Sequence, residues 1–303
     1  MRKPRFIPYL LTLLLVWLGS APGAHAGSGA SAHSRAAHPP SGVAAVQADT
    51  HRFSAKADAG KPARTGPGRI LFILASSTVH GASALPASIS FGEVVNAWDV
   101  FQAAGYPVDF VSPDGGAVPI LDSYVSKDME PRLKDERIMQ GLRSTAKPSQ
   151  VDAAQYRAVY YVGGSNAIYG VPENPALQAI AMQVYERNGG VVSAVCHGTA
   201  GILNLRLANG QHLVAGKRIT GFPEEYEEQD AAYFREFPFL IRKTVESRGG
   251  SFRVSDRDQS HVEIDGRVVT GQNYPSAKPV AQAVVDILRT QADPQPDRRA
   301  TKN

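Results

Sequence analysis

Short, almost continuous apolar runs recur along the middle of the chain, at Arg69–Ala75, Pro107–Val111, Arg157–Val162 and Val191–Cys196. Runs of that length without alternation predict strands covered on both faces. Between them the spacing becomes helical. Phe91–Ala104 sets Val94, Val95, Trp98, Phe101 and Ala104 on one face and stops at Gly105, and Asn174–Arg187 carries Pro175 at a permitted first-turn position. Residues 69–111 thus read as a βαβ unit with a right-handed crossover. A longer excursion, Ser112 to Ala154, contains the amphipathic stretch Met129–Leu142 and is expected to lie over the carboxyl edge of the sheet. A helix over Thr199–Leu207 is predicted after the fourth run. Then come a strand around Lys217–Thr220, an acidic segment Glu224–Asp230, a helix from Phe234 to Ser247, a hairpin over Ser260–Thr270 turning at Asp265-Gly266, and a closing helix Ser276–Leu288. This alternation predicts an α/β fold with a doubly wound, mostly parallel sheet flanked by helices, and no internal repeat is found.

The ends follow a different pattern. Met1-Arg2-Lys3-Pro4-Arg5, the apolar run Leu10–Leu18 and Ala24-His25-Ala26 form a basic, apolar, small-residue series, which predicts a signal peptide over residues 1–26 cleaved after Ala26. The apolar run is shorter than the roughly 20 residues that a spanning helix needs, so no stable membrane anchor is expected after cleavage. Residues 27–67 are rich in Ala, Ser, Gly, His and Pro and poor in large apolar side chains. They cannot offset their chain entropy by burial and should form a disordered linker, with His33, His38 and His51 merely solvated. The folded domain is expected over 68–291 and a polar tail over 292–303. A periplasmic or secreted location follows from the leader.

Composition narrows the function classes. The formal charge of the 303 residues is +4, and loss of Arg2, Lys3 and Arg5 with the leader would leave +1. No basic stripe interleaved with aromatics is present, so no nucleic-acid partner is expected. Cys196 is the only cysteine, which forbids an intramolecular disulfide. No cofactor is expected. Metal ligation is disfavoured because His80, His212 and His261 are scattered, and the first strand runs into Ala75-Ser76-Ser77-Thr78-Val79-His80-Gly81 rather than a glycine-rich dinucleotide turn.

The candidate chemistry gathers around that cysteine. In Val191-Val192-Ser193-Ala194-Val195-Cys196-His197-Gly198 a β-branched run ends abruptly in small residues, which puts a thiol at the carboxyl end of a strand, where open α/β sheets bind ligands. The start of the following helix would favour its thiolate. His197 can stand beside the sulfur and exchange protons. Such a base needs an orienting acid, and Glu224, Glu225, Glu227 and Glu228 are all available after Thr220-Gly221-Phe222-Pro223. Gly163-Gly164, at the end of the preceding strand, permits close backbone approach for an oxyanion. Glu93 begins a helix among apolar and small neighbours, and its carboxyl, held beside Cys196, would stay protonated.

Six blocks occur in an order that resembles the DJ-1/PfpI superfamily, and within it the Hsp31-like, glutathione-independent glyoxalase class. They are Phe110-Val111-Ser112-Pro113-Asp114-Gly115-Gly116, Val162-Gly163-Gly164, Pro172-Glu173-Asn174-Pro175-Ala176-Leu177, Ala194-Val195-Cys196-His197-Gly198, Ile219-Thr220-Gly221-Phe222 and Val269-Thr270-Gly271-Gln272-Asn273. The resemblance implies a flavodoxin-like, class I glutamine amidotransferase-like sheet with a nucleophile elbow. By position it implies catalytic roles for Cys196, His197, Glu227 and Glu93, with oxyanion amides at Gly164 and His197; Glu225 and Glu228 lie close enough to compete with Glu227. Ser165 stands where many Hsp31-like members have His, and Thr199 where many have Pro.

The resemblance further implies conversion of a small α-oxoaldehyde such as methylglyoxal to its hydroxy acid, with a small-molecule aldehyde as partner and a possible homodimer. Two other readings stay open: a cysteine amidase or peptidase, and an envelope stress chaperone or redox-responsive protein without essential turnover. Glutamine amidotransfer is disfavoured, because the late strand ends in Gly271-Gln272-Asn273-Tyr274-Pro275 where that class has His-x-Glu.

Overall fold

A computed structural model describes residues 68–292. The expected leader over 1–26, the linker over 27–67 and the tail beyond residue 292 lie outside the described residues. Six strands form one sheet: β1 (Arg69–Ile73), β2 (Val108–Val111), β3 (Tyr156–Tyr161), β4 (Val191–Val195), β7 (Val262–Asp265) and β8 (Val268–Gly271). Their order is β2-β1-β3-β4-β8-β7, parallel except for the hairpin that joins β7 to β8. Helices α1 (Phe91–Ala103), α2 (Glu136–Arg143), α3 (Pro175–Met182) and α6 (Ala277–Ala292) complete the frame.

The uninterrupted apolar runs are explained by two cores, one on each face of the sheet. In β1, Ile70 and Phe72 join Val94 and Phe101 of α1, Ile138 and Leu142 of α2 and Val280 and Val284 of α6. Leu71 and Ile73 face the opposite side with Leu177 of α3, Ile202 and Val245. Period-2 alternation thus sends every second residue of a wholly apolar strand to a different layer. Chain order reverses direction between β1 and β3, and at this switch point the sheet opens a crevice at its carboxyl edge.

Several expected elements differ. The residues after Cys196 form a 3-10 helix, Cys196–Ile202, rather than an α-helix to Leu207. The helix expected over 234–247 is two pieces, α4 (Ala232–Arg235) and α5 (Ile241–Ser247), separated around Pro238, which lacks an N–H and restricts the residue before it. Strand β5 (Arg218–Ile219) pairs with an unforeseen β6 (Ser251–Phe252) in a small separate parallel sheet. The 112–154 excursion only partly covers the carboxyl edge. Its first half reaches the cavity there through Tyr124, whereas α2 packs on the α1 face with Ile138, Met139 and Leu142.

Candidate active site

Three neighbouring strands deliver the site. The crossover after β1 leads into α1, whose first turn carries Glu93; β3 ends in Gly163-Gly164; β4 ends at Cys196. Cys196 has φ of +56°, the one positive φ of a non-glycine among the described residues. A side chain in the left-handed region is held there only when its surroundings insist. Here the Cys196 carbonyl accepts the Phe222 N–H at 3.2 Å, and Thr199 Oγ1 donates to the Thr220 carbonyl at 3.1 Å. The Thr220-Gly221-Phe222 block is thereby locked to the elbow, and Thr199 has a structural role at the position where it departs from the common Pro.

His197 links the sulfur to one acid. Its Nδ1 lies 3.4 Å from Cys196 Sγ, and its Nε2 lies 2.6 Å from Glu227 Oε1. Phe222 stacks on the imidazole at 4.8 Å between centroids. Tyr233 Oη donates to the other Glu227 oxygen at 3.0 Å. The neighbouring acids go elsewhere: Glu224 accepts from the N–H groups of Arg242 and Lys243 at the start of α5, Glu225 pairs with Arg242, and Glu228 stays exposed at the rim.

Glu93 is 1% exposed. Its Oε2 accepts the Gly163 N–H at 2.9 Å, and its carboxyl is also hydrogen-bonded to the Cys196 thiol. Burial pushes this carboxyl up to about 8, against the smaller opposing effect of those bonds, which favours its protonated form at neutral pH. Gly163 is required by close approach, since a Cβ there would overlap Glu93 Oε2 and lie 2.8 Å from Cys196 Cβ. Gly164 has φ of +105° and lines the cavity with its backbone turned beside the elbow.

The expectation of a resting thiolate is not met. Burial, and then the charge that an ionised Glu93 would bring, push the Cys196 thiol well above its ordinary range. A seven-residue 3-10 turn gives little of the aligned dipole that an α-helix would supply. The His197 backbone N–H acts the other way, by hydrogen-bonding the sulfur. Because Glu93 is neutral at pH 7, its charge is absent and its proton is available to the sulfur.

These groups open into a cavity of about 440 Å³, whose wall also contains Tyr124, Ser165 and Asn273. Sequence reasoning did not find Tyr233 or Tyr124. The one available signal was the density of aromatics after the acidic run, at Tyr233, Phe234, Phe237 and Phe239. His80, set aside as scattered, lies near this wall.

Fold and site together define an α/β protein with a cysteine elbow at the carboxyl edge of a parallel sheet, a histidine beside the sulfur and a buried carboxyl beneath it. The DJ-1/PfpI family model matches residues 88–287, and the chain belongs to that family. It is 30% identical over 214 residues to a glutathione-independent glyoxalase of Schizosaccharomyces pombe, covering 66% of this chain and 88% of that protein. Glyoxalase 3 of Candida albicans is 30% identical over 205 residues, with 64% and 86% covered. Among solved structures, glyoxalase III from Candida albicans superposes with a TM-score of 0.64 at 25% identity, covering 73% of this chain and 97% of that one. The 24 kDa rapid encystment protein of Francisella tularensis gives 0.67 at 25% identity, with 73% and 99% covered.

Proposed function

We propose that the protein converts small α-oxoaldehydes, methylglyoxal among them, to hydroxy acids without glutathione, through Cys196, His197, Glu227 and Glu93. The observation that carries this reading is the imidazole of His197 placed between sulfur and carboxylate, at 3.4 and 2.6 Å. The similarity to proteins named as glutathione-independent glyoxalases supports it.

The raised thiol shapes the mechanism. His197 Nδ1 takes the thiol proton as the sulfur adds to the aldehyde carbon, and Glu227 on Nε2 stabilises the imidazolium that forms. The new oxyanion lies under the amides of Gly164 and His197, and receives that proton to complete a hemithioacetal. His197 then removes the hydrogen on C1 as a proton and returns it to C2, while the hydroxyl proton passes from the first oxygen to the second through an enediol. The product of this step is a thioester. Water cleaves it, releasing the hydroxy acid and restoring the thiol. Neutral Glu93 donates a hydrogen bond to the sulfur whenever it carries charge.

The test is a panel of methylglyoxal, glyoxal and simple amides, run with the mature protein and with Cys196→Ser. Aldehyde turnover that disappears in the variant is the expected result. Turnover retained without the thiol would overturn the mechanism, and thiol-dependent amide cleavage would replace it with the hydrolase reading. Export is part of the proposal and rests on the leader series at residues 1–26. Amino-terminal sequencing of the protein recovered from the cell envelope should begin at Gly27.

A further inference from the structure

The cavity wall holds a second polar chain that the mechanism above leaves unused. Ser165 follows Gly164 directly, is 6% exposed and still lines the cavity. Its hydroxyl lies 3.0 Å from Tyr124 Oη and 3.3 Å from His80 Nε2. The three residues come from different places: the loop after β1, the excursion after β2 and the end of β3. His80 is 2% exposed and packs 5.3 Å from Tyr233 and 6.3 Å from Phe237 between centroids, with Nδ1 3.5 Å from Tyr169 Oη. Burial lowers its proton affinity, so the ring is neutral, with one N–H and one lone pair.

Burying a hydroxyl and an imidazole beside a reaction centre is costly unless they are paired, and here they pair with each other, while the half-exposed Tyr124 phenol reaches the same hydroxyl from the rim. A hydroxyl has one proton and two acceptor positions. Held between two partners that can each donate or accept, Ser165 can turn its proton toward an oxygen in the cavity without leaving a buried polar atom unmatched. An aldehyde oxygen seated at the Gly164 amide has Ser165 as the next residue along the wall. The oxygen on the adjacent carbon of the substrate is then the one Ser165 can meet.

We infer that Ser165, steadied by His80 and Tyr124, is a specificity-determining residue that hydrogen-bonds the second oxygen of the substrate and so selects aldehydes with an adjacent carbonyl or hydroxyl over simple aldehydes. This rests on the α-oxoaldehyde reading of the site. A hydrocarbon wall would serve a simple aldehyde as well or better, whereas a site built to bond a second oxygen rejects a ligand that lacks it. His80 and Tyr124 act through Ser165 as positioning residues.

The inference is tested by a measurement that needs the thiol and no turnover. Methylglyoxal and propanal are each titrated for protection of Cys196 against iodoacetamide, in the unaltered protein and in variants. Ser165→Ala should raise the half-protecting concentration of methylglyoxal about tenfold, the scale of one well-made hydrogen bond, and that of propanal less than about twofold. Ser165→Thr, which keeps a hydroxyl, should recover most of the difference. His80→Gln should weaken methylglyoxal selectively when Ser165 is present and add nothing in the double variant with Ser165→Ala. Equal effects on the two aldehydes, or no effect on either, overturn the inference. Absence of methylglyoxal turnover in the unaltered protein would strike the proposed reaction and leave this measurement standing.

Discussion

The N–H of Gly163 donates to Glu93 Oε2 across 2.9 Å and so ties the first turn of α1 to the end of β3, beneath the reactive sulfur. One backbone donor is too little to keep a fully buried carboxyl ionised, and its protonation falls from the folded protein only near pH 8. In the unfolded chain the same group titrates near 4.5. Between these values the folded state holds a proton that the unfolded state has released, so Glu93's contribution to stability is fully present below 4.5 and declines as pH rises, by up to about 1.4 kcal/mol per unit until the folded group ionises. Glu93→Gln should lack that slope. Urea midpoints at pH 5, 6.5 and 8 check it, and parallel curves for the two proteins would contradict it.

Glu227 differs from its acidic neighbours only in what it touches. Removing its charge with Glu227→Gln leaves His197 without an anionic partner, and kcat should fall about a hundredfold or more with methylglyoxal. Glu225→Gln and Glu228→Gln should stay within about threefold, since one pairs with Arg242 and the other is exposed. Tyr233→Phe, which deletes the bond to Oε2, should fall between them. Steady-state kinetics of the four variants decide the assignment, and a larger loss at Glu225 or Glu228 would move the acid.

Asn273 holds the cavity rim together. Its amide donates to the carbonyls of Arg257 and Gln259 at 2.7 and 2.8 Å, and its oxygen accepts from Ser276 Oγ at 2.7 Å. Asn273→Ala removes all three bonds and leaves the buried Ser276 hydroxyl without its acceptor, while the exposed Arg257 and Gln259 carbonyls turn to water, and should destabilise the protein by about 1–2 kcal/mol. Amide exchange should quicken over residues 255–261 before the rest of the sheet. Unchanged exchange in that loop would show that something else braces it.

Strands and the elbow were legible because their signals are local. Ile70 to Leu74 is apolar at every position since both faces of β1 are covered, and Cys196 stands where a β-branched run meets small residues. The 3-10 turn after Cys196 was not legible, because its path is set by packing against Tyr161 on β3 and not by helical periodicity. Among Glu224, Glu225, Glu227 and Glu228 the sequence offers no periodicity either; the choice is made by where Tyr233 and His197 meet. The same limit hid the Ser165 pairings, since Tyr124 and His80 reach it from 41 and 85 positions away. Resemblance carried the reading of Glu93 and Glu227 further than their spacing alone.

The elbow itself gives the last prediction. In most positions glycine is less stable than alanine, because its unfolded chain has more freedom to lose. At Cys196 the backbone has φ of +56°, where an L side chain is strained and glycine is not. Cys196→Gly should therefore equal or exceed Cys196→Ala in stability, with a difference of about 1 kcal/mol in favour of glycine. Neither variant keeps the thiol, so the comparison is free of its hydrogen bonds to Glu93 and His197. Denaturant titrations of the two variants side by side measure the strain, and an alanine variant more stable by the usual margin would show that the elbow relaxes once the sulfur is gone.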